Sequence, residues 1–267
     1  MCDKWPLAYK DEGVEEPLLD HLLATACLTR CLFKDRAVVL VKRANVIDVA
    51  LVEHALYLLG FLHDVGKMSY YYKEHHCREG RVSFPFHEYV SALLVYRAGD
   101  RLMDVDERLG GLLKIVAKAI ARHHAAMVGR DLASVLGSER AERDIRDIRS
   151  AVNRLESKLL RELVAQGLVG GLPRDLANLL ANLIVNAYED LIKANIPQQL
   201  QNLKGAHDRW LVAGLAGFLI VADNIAANKV RGSTDGHTPL YIKMWMGELG
   251  GRVEECNFKC SRVSGYG

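Results

Sequence analysis

The pattern of apolar and polar positions predicts a chain built almost entirely from α-helices. Apolar residues recur at helical spacing between positions 46 and 64, which is typical of a buried helix. This pattern rests on Val49, Val52, Leu56, Leu59 and Leu62. Other helices are predicted over Leu18–Lys34, Pro85–Ala98, Asp106–His124, Ala141–Gln166, Pro173–Asn195 and His207–Val230. No segment shows the alternation of a half-buried strand.

The segments between these helices are predicted to lack regular structure. Residues 1–17 are expected to form an extended lead-in, residues 68–84 a polar, aromatic loop, and the tail from Gly250 an irregular segment or a short strand. Gly66 is expected to end the helix over 46–64 in a left-handed conformation, which costs glycine little. The whole chain, 1–267, is predicted to be one domain with a helical core of about 18–230 and a C-terminal extension of about 231–267.

Composition and charge narrow the picture only slightly. Half of the chain is apolar, mostly Leu, Ala and Val, and the net charge of +2 neither requires nor excludes a nucleic-acid partner. The most apolar stretch, Trp210–Ala222, has 13 residues and is too short to span a bilayer. The N-terminus shows no signal-peptide pattern. A cytoplasmic protein without a membrane partner is therefore expected.

Four of the six cysteines lie in two pairs with the same spacing. Cys27 and Cys31 fall within a predicted helix, and Cys256 and Cys260 lie in the tail. The interpretation is core or free thiols, and a Cys256–Cys260 disulfide stays open because intracellular disulfides occur in hyperthermophiles. A four-cysteine zinc site is disfavoured because one pair lies inside a packed helix.

Candidate chemistry is concentrated where apolar helices meet ionisable residues. His63 and Asp64 follow a run of apolar residues, and Asp223 follows 13 residues without a charge. A buried carboxylate is costly unless a cation or hydrogen-bond donors compensate it. A metal ion would satisfy both the imidazole and the carboxylates. The sequence therefore predicts a metal site at these residues.

Seven residues at helix ends or on core faces share this character. They are His21, His63, Asp64, His87, His123, His124 and Asp223. His123 and His124 are about 100° apart on a helix, so they can serve two neighbouring ions or one ion and a substrate. A second His-Asp pair, His207-Asp208, is about 160° round the helix from Asp223 and is expected to face elsewhere.

The order H…HD…H…HH…D resembles that of the HD phosphohydrolase superfamily, and most closely the HD nuclease of type I CRISPR interference systems. The resemblance covers roughly His21 to Asp223 and includes the run His63-Asp64-Val65-Gly66-Lys67. It implies an all-α HD-domain helical bundle. The 267 residues contain no G-x-x-x-x-G-K-[ST] loop, so the chain looks like the stand-alone nuclease subunit, with the helicase on another chain.

The resemblance also implies a ligand set for two divalent metal ions. His21, His63, Asp64 and Asp223 would hold one ion and His87, His123 and His124 the other, with Asp64 bridging. Imidazole-rich sites favour Mn, Ni, Co or Fe, and Mg is possible. Two ions about 3.5–4 Å apart can activate a water molecule and stabilise the leaving oxygen of a phosphodiester.

Two basic residues near the expected ligands are candidates for substrate contact. Lys67 would hold the phosphate or assist the leaving group, and Arg122 would contact a substrate phosphate. The alternatives are a helix-end lysine on the helix dipole and a surface salt bridge. On the predicted helix over 141–166, Arg143, Arg154, Lys158 and Arg161 would share one face and could add a basic rim, or form a solvated charged face.

The predicted function is a metal-dependent nuclease acting on single-stranded DNA, with RNA left open as a further substrate. It would act in CRISPR-based antiviral defence with a separate helicase subunit and a guide-RNA surveillance complex. Two alternatives remain. One is a nucleotide phosphohydrolase or cyclic-nucleotide phosphodiesterase of the same superfamily. The other is a catalytically idle HD domain that serves as a binding module or scaffold.

Overall fold

The computed structural model describes residues 5–11, 13–45, 47–78, 81–124, 131–137, 139–204, 209–231, 244 and 247–256. Within them the helices are α1 Leu18–Ala44, α2 Val52–Leu62, α3 Tyr70–His75, α4 His87–Met103, α5 Glu107–Ile120, α6 Leu132–Gly137, α7 Ala141–Asn153, α8 Ser157–Val169, α9 Arg174–Lys193, α10 Ile196–Leu203 and α11 Arg209–Arg231. Short 3₁₀ turns cover Val49–Leu51 and Val65–Met68. Residues 247–256 are also helical, which corrects the irregular tail predicted from Gly250.

The predicted all-α class is confirmed, and two small antiparallel hairpins are added to it. Strands β1 Leu7–Asp11 and β2 Val14–Pro17 form the first hairpin, with Gly13 in its turn at φ 87°. Strands β3 Cys77–Arg78 and β4 Arg81–Val82 form the second. The predicted lead-in and the predicted loop over 68–84 were therefore wrong in detail. Strands of two to five residues are too short to show a period in the sequence.

The core is made by the long helices, which also carry the candidate ligands. Helix α1 packs against α2 and α11, and α4 packs against α5 and α9. Gly60 of α2 lies directly on α1, since a Cβ atom at Gly60 would be 2.5 Å from the Cα atom of Ala26. The absence of a side chain there lets the two helix axes approach closely, which brings the faces carrying His21 and His63 together.

The predicted helix over Ala141–Gln166 is in fact two helices. Helix α7 ends at Asn153 and α8 begins at Ser157, where the Glu156 carboxylate accepts a hydrogen bond of 2.7 Å from the backbone N–H of Leu159. Such a cap satisfies an orphan donor and starts a new helix. The proposed basic face spanning both halves was therefore wrong, because the periodicity that aligned Arg143 with Lys158 does not continue through the break.

Gly66 has a packing role rather than the predicted left-handed one. Gly13 is the one glycine with positive φ in the described part of the chain, whereas Gly66 lies within the 3₁₀ turn Val65–Met68. A Cβ atom at Gly66 would be 2.5 Å from the backbone oxygen of His87 and 2.9 Å from Cβ of Val90. The glycine therefore lets this turn rest directly on α4.

Two stretches, Val49–Met68 and Arg209–Lys229, are long and apolar enough to cross a membrane by length and composition alone. Their most apolar windows are 72% and 61% buried against the rest of the protein, as is typical of core helices.

Cys31 of α1 forms a disulfide with Cys256. This pairing excludes the Cys256–Cys260 disulfide left open above and corrects the interpretation of these two residues as free thiols.

Candidate metal centre

The seven residues selected from the sequence come together from five positions in the fold. His21 lies in the first turn of α1, His87 begins α4, and Asp223 lies within α11. His63 and Asp64 directly follow α2, and His123 and His124 lie in the turn after α5. Most of these are helix ends, where a side chain can point along the helix axis into the core.

Asp64 lies at the middle of the cluster. Its Oδ1 is 2.9 Å from Nε2 of His87 and 3.6 Å from Nε2 of His123. Its Oδ2 is 3.3 Å from Nε2 of His63 and 3.6 Å from Nε2 of His21. Each carboxylate oxygen thus faces a different pair of histidines, which is the arrangement that a bridging ligand requires.

Two groups of side chains have the spacing that a metal ion requires. The possible ligand atoms of His21, His63 and Asp64 lie within 4.8 Å of one another, and so do those of His87, His123 and His124. Asp223 belongs with the first group, because its Oδ1 is 3.0 Å from Nε2 of His21 and 3.7 Å from Nε2 of His63. The structure brings all seven together, and their role as ligands stays a prediction.

Three of the buried histidines are oriented by a backbone carbonyl. Nδ1 of His63 donates to the oxygen of Gly60 at 2.8 Å, Nδ1 of His87 to that of Phe84 at 2.5 Å, and Nδ1 of His123 to that of Ile120 at 2.7 Å. A carbonyl oxygen can only accept, so Nδ1 carries the hydrogen and Nε2 faces the centre. Metal-binding histidines are commonly held in this way.

His21 is oriented by a carboxylate that was not predicted from the sequence. Its Nδ1 lies 2.8 Å from Oε1 of Glu16, which is delivered by β2 and is only 1% exposed. Glu16 follows another glutamate, so in the sequence it resembles an ordinary surface charge. Glu88 is also fully buried, with Oε2 3.6 Å from Nδ1 of His87. Nothing in the sequence indicated that Glu16 is buried, because the hairpin that buries it was not predicted.

The buried charges shift one another's ionisation. Burial lowers the pKa of His63, but the Asp64 and Asp223 carboxylates outweigh this and raise it to about 10. Burial raises the pKa of Asp64, but His63 and then Lys67 hold it well below its usual range. The pKa of His87 is lowered, chiefly by burial. The centre therefore keeps its carboxylates ionised and attracts positive charge.

The donor atoms of the centre fit a divalent cation. Nε2 of His21, His63 and His123 and Oδ1 of Asp64 are buried without a well-aligned hydrogen-bond partner in the described part of the chain. Unsatisfied buried polar atoms are costly and require an explanation. Nitrogen and carboxylate ligands at this spacing suit Mn, Fe, Co, Ni or Zn. Cations held by the two ligand groups would satisfy all four atoms.

The two basic candidates occupy different surroundings. Nζ of Lys67 is 2.5 Å from Oδ2 of Asp64 and donates to the oxygen of Ala8 at 3.2 Å. Arg122 is half-buried, and burial followed by the nearby charge of Arg209 lowers its pKa. Arg209 lies about 21 Å along α11 from Asp223. The roles of Lys67 and Arg122 toward substrate stay predictions, and His207-Asp208 lies outside the described residues.

One comparison with known proteins bears on this site. The family model described as "Cas3, HD domain" matches residues 8–230. The matched span includes both proposed ligand groups and Lys67. No curated protein and no solved structure shows a significant match.

Proposed function

Because the chain belongs to the family of Cas3 HD domains, we propose that it is a nuclease that cuts single-stranded DNA in CRISPR-based antiviral defence. The family consists of metal-dependent HD-type hydrolases of CRISPR systems, and the histidine–aspartate cluster agrees with metal binding. The proposed partners are a helicase subunit and a guide-RNA surveillance complex. The 267 residues contain no G-x-x-x-x-G-K-[ST] loop, so the helicase activity would come from elsewhere.

The position of Asp64 is the observation that carries this proposal. Its two oxygens face the His21–His63 side and the His87–His123 side respectively. One carboxylate can therefore belong to both ligand groups, as a two-ion site requires. When bound, two divalent ions polarise a water molecule and stabilise the leaving oxygen of a phosphodiester.

The protein's own residues prepare the site for this chemistry. The carbonyl-bound and Glu16-bound histidines present Nε2 in fixed orientations, so little reorganisation is needed on binding. Lys67 holds Oδ2 of Asp64 and adds a positive charge beside the place that a phosphate must reach. This charge lies in a largely buried site, where it acts more strongly than in water.

Burial of the centre supports a flexible single strand as the substrate. The His21, His63, His87 and His123 side chains are at most 4% exposed, and that of Asp223 is 18% exposed. A phosphate must enter this recess to meet ions held at about 2 Å from their ligands. A single strand can bend into it more readily than a stiff duplex. The net charge of +2 also provides little general attraction for duplex phosphate.

The test is a parallel time course with metal-stripped protein reloaded with Mg, Mn, Co or Ni. The substrates are a single strand, the matched blunt duplex, a nucleoside triphosphate and a cyclic nucleotide. We expect metal-dependent cutting of the single strand and little cutting of the duplex. Equal rates on the duplex would overturn the substrate assignment. Activity confined to nucleotides would indicate the phosphohydrolase alternative, and no hydrolysis with any metal would indicate a scaffold.

The Asp64→Asn variant tests the two-ion arrangement with almost no change in side-chain volume. It should lose strand cleavage at saturating metal, because the amide cannot bridge two cations as a carboxylate does. Asp104→Asn is the matched control, since Asp104 is exposed at the end of α4. Turnover in Asp64→Asn equal to that of the control would rule out the bridging role.

A further inference from the structure

A pocket of about 340 Å³ opens beside the metal centre. The pocket is lined by Ala8 and Tyr9 of β1 and by the segment 82–85, which includes Ser83 and Phe84. Lys67 and His87 complete the lining. The volume is near the lower end of the range for small-ligand pockets, about 300–1,000 Å³. It therefore suits one nucleoside-sized group rather than a helix or a duplex.

The pocket shares two residues with the metal centre. Lys67 contacts Oδ2 of Asp64 at 2.5 Å, and Nε2 of His87 lies 2.9 Å from Oδ1 of the same residue. Lys67 and His87 therefore separate the pocket from the metal centre. A nucleoside held in the pocket could be joined directly to a phosphate at the centre.

The lining has the chemistry of a nucleotide site. The Phe84 ring lies 6.3 Å from the His87 ring in a T-shaped arrangement, and Nζ of Lys67 is 5.2 Å from the centre of the Phe84 ring. Phe84 is half-buried and Ser83 is exposed at the rim. Lys67 lies over the Phe84 ring, and Trp5 and Tyr72 also contact it, so the ring offers a base an apolar wall rather than an open stacking face. Such a wall suits a base, and the ammonium group suits the adjoining phosphate. Both are present here within one nucleotide's reach.

We propose that this pocket holds one unpaired nucleoside of the substrate strand, next to the phosphate that is cut, with its base against Phe84. This inference rests on the proposed function and adds a base-binding subsite to it. A paired base cannot enter, because it would have to leave its stack and its partner. The pocket therefore selects single strands at the site of cutting, independently of the net charge.

The first test uses the unaltered protein and a single-stranded oligonucleotide with one abasic position. The bond beside the abasic sugar should be cut about tenfold or more slowly than the same bond in the intact strand, as expected from losing one base–aromatic contact. Other bonds in the same strand serve as internal controls. Cutting that passes through the abasic position at an undiminished rate would overturn the subsite.

The second test blocks the pocket from its rim with Ser83→Trp. Ser83 is exposed, so no packed core side chain is lost. KM for the single strand should rise about tenfold or more, and hydrolysis of the small diester bis(p-nitrophenyl) phosphate should fall much less. Metal content, measured by mass spectrometry, should match that of wild type. Ser157→Trp, on an exposed serine at the start of α8, is the control and should leave KM unchanged.

The outcomes separate this inference from the function on which it rests. If wild type loaded with metal cuts no intact single strand, the proposed function fails. Two results together would overturn the subsite alone. Wild type would cut the intact strand and the bond beside the abasic sugar at equal rates, and Ser83→Trp would have the same KM as Ser157→Trp. If both pocket tests give the expected change, the pocket binds the substrate base.

Discussion

At the scale of single residues, the main feature is how each buried histidine is held. His63, His87 and His123 each donate from Nδ1 to the carbonyl three residues earlier. His63 and His123 follow a helix, and His87 begins one. Carbonyl groups near helix ends lack some of their helical hydrogen-bond partners, so they can accept from a histidine side chain. His21 is followed by a further 23 residues of α1 and uses the Glu16 carboxylate instead. Glu16 is therefore a positioning residue for His21.

Glu16→Gln should weaken binding of the metal at the His21 side about 10–100-fold, the usual cost of removing such a supporting partner. The amide keeps the size of the side chain but removes the charge that favours one orientation and basicity of the imidazole. Affinity is measured by chelator competition. Glu15→Gln is the control, because Glu15 lies next to Glu16 on β2 but pairs with Lys10 of β1 at 2.6 Å. Equal affinities in the two variants would contradict the positioning role.

The raised pKa of His63 makes the stability of the metal-free protein depend on pH. Its pKa is about 10 when folded, because the charges of Asp64 and Asp223 outweigh burial, and about 6.5 when unfolded. The folded state therefore binds a proton that the unfolded chain has released. The resulting stabilisation is complete below about pH 6.5 and is lost as pH rises through about 10.

We expect the unfolding free energy of metal-free protein to fall between about pH 7 and about pH 9, by up to about 1.4 kcal/mol per pH unit. A metal ion must displace this proton, so metal affinity should rise over the same range. Denaturant unfolding and chelator competition at several pH values measure the two trends. A metal-free stability that increases with pH in this window would show that His63 is neutral.

At the scale of secondary-structure elements, close contacts at two glycines set the geometry of the centre. Gly60 lets α2 approach α1, which carries His21, and Gly66 lets the Val65–Met68 turn rest on α4, which carries His87. The backbone N–H of Gly66 also donates to Oγ of Ser91 at 2.8 Å, and that hydroxyl donates to the oxygen of His87 at 3.0 Å. These contacts hold Asp64 at a fixed distance from the helix that provides His87.

Gly66→Ala should destabilise the protein by about 1–3 kcal/mol, the usual cost of overpacking. The new methyl group would meet the His87 oxygen, so α4 must move away from Asp64 and metal affinity should also fall. Gly111→Ala in α5 is the control, because its Cβ would meet nothing within 4 Å. That variant should be as stable as wild type or up to about 1 kcal/mol more stable. Denaturant unfolding distinguishes the two, and similar stabilities would contradict the close-contact role.

At the scale of the whole molecule, a disulfide joins helix α1 to the last described segment of the chain. The Cys31–Cys256 disulfide links α1 to the helical residues 247–256 across 225 positions in sequence. Helix α1 carries His21 and packs against α2 and α11. The crosslink therefore ties the C-terminal segment to α1. This helix packs against α2, which precedes His63 and Asp64, and against α11, which carries Asp223.

Cys256→Ser should lower the free energy of unfolding by about 2–5 kcal/mol, since a crosslink over a long loop restricts the unfolded chain. Metal stoichiometry should not change, because residue 256 contributes no ligand. Glu254→Ser, on a neighbouring exposed position, is the control. Thermal and denaturant unfolding under non-reducing conditions measure the difference. A Cys256→Ser variant as stable as Glu254→Ser would show that the disulfide adds no stability.

Three features could be predicted from the sequence: the all-α class, most of the long helices and the seven residues that meet at the centre. Helical periodicity is a local property, so α1, α4 and α11 could be located approximately from apolar spacing. A carboxylate such as Asp223 after a long uncharged run must be compensated wherever it is buried. These arguments need no knowledge of which helices are neighbours.

Features that depend on contacts between distant segments could not be predicted and became visible only in the fold. The burial of Glu16, the Cys31–Cys256 pair and the pocket between Ala8 and Phe84 join segments far apart in sequence. The role of Gly66 was likewise set by α4 and not by its own turn. The physical reason is that packing, orientation and pocket shape depend on which surfaces meet in three dimensions, and local periodicity carries no information about those surfaces.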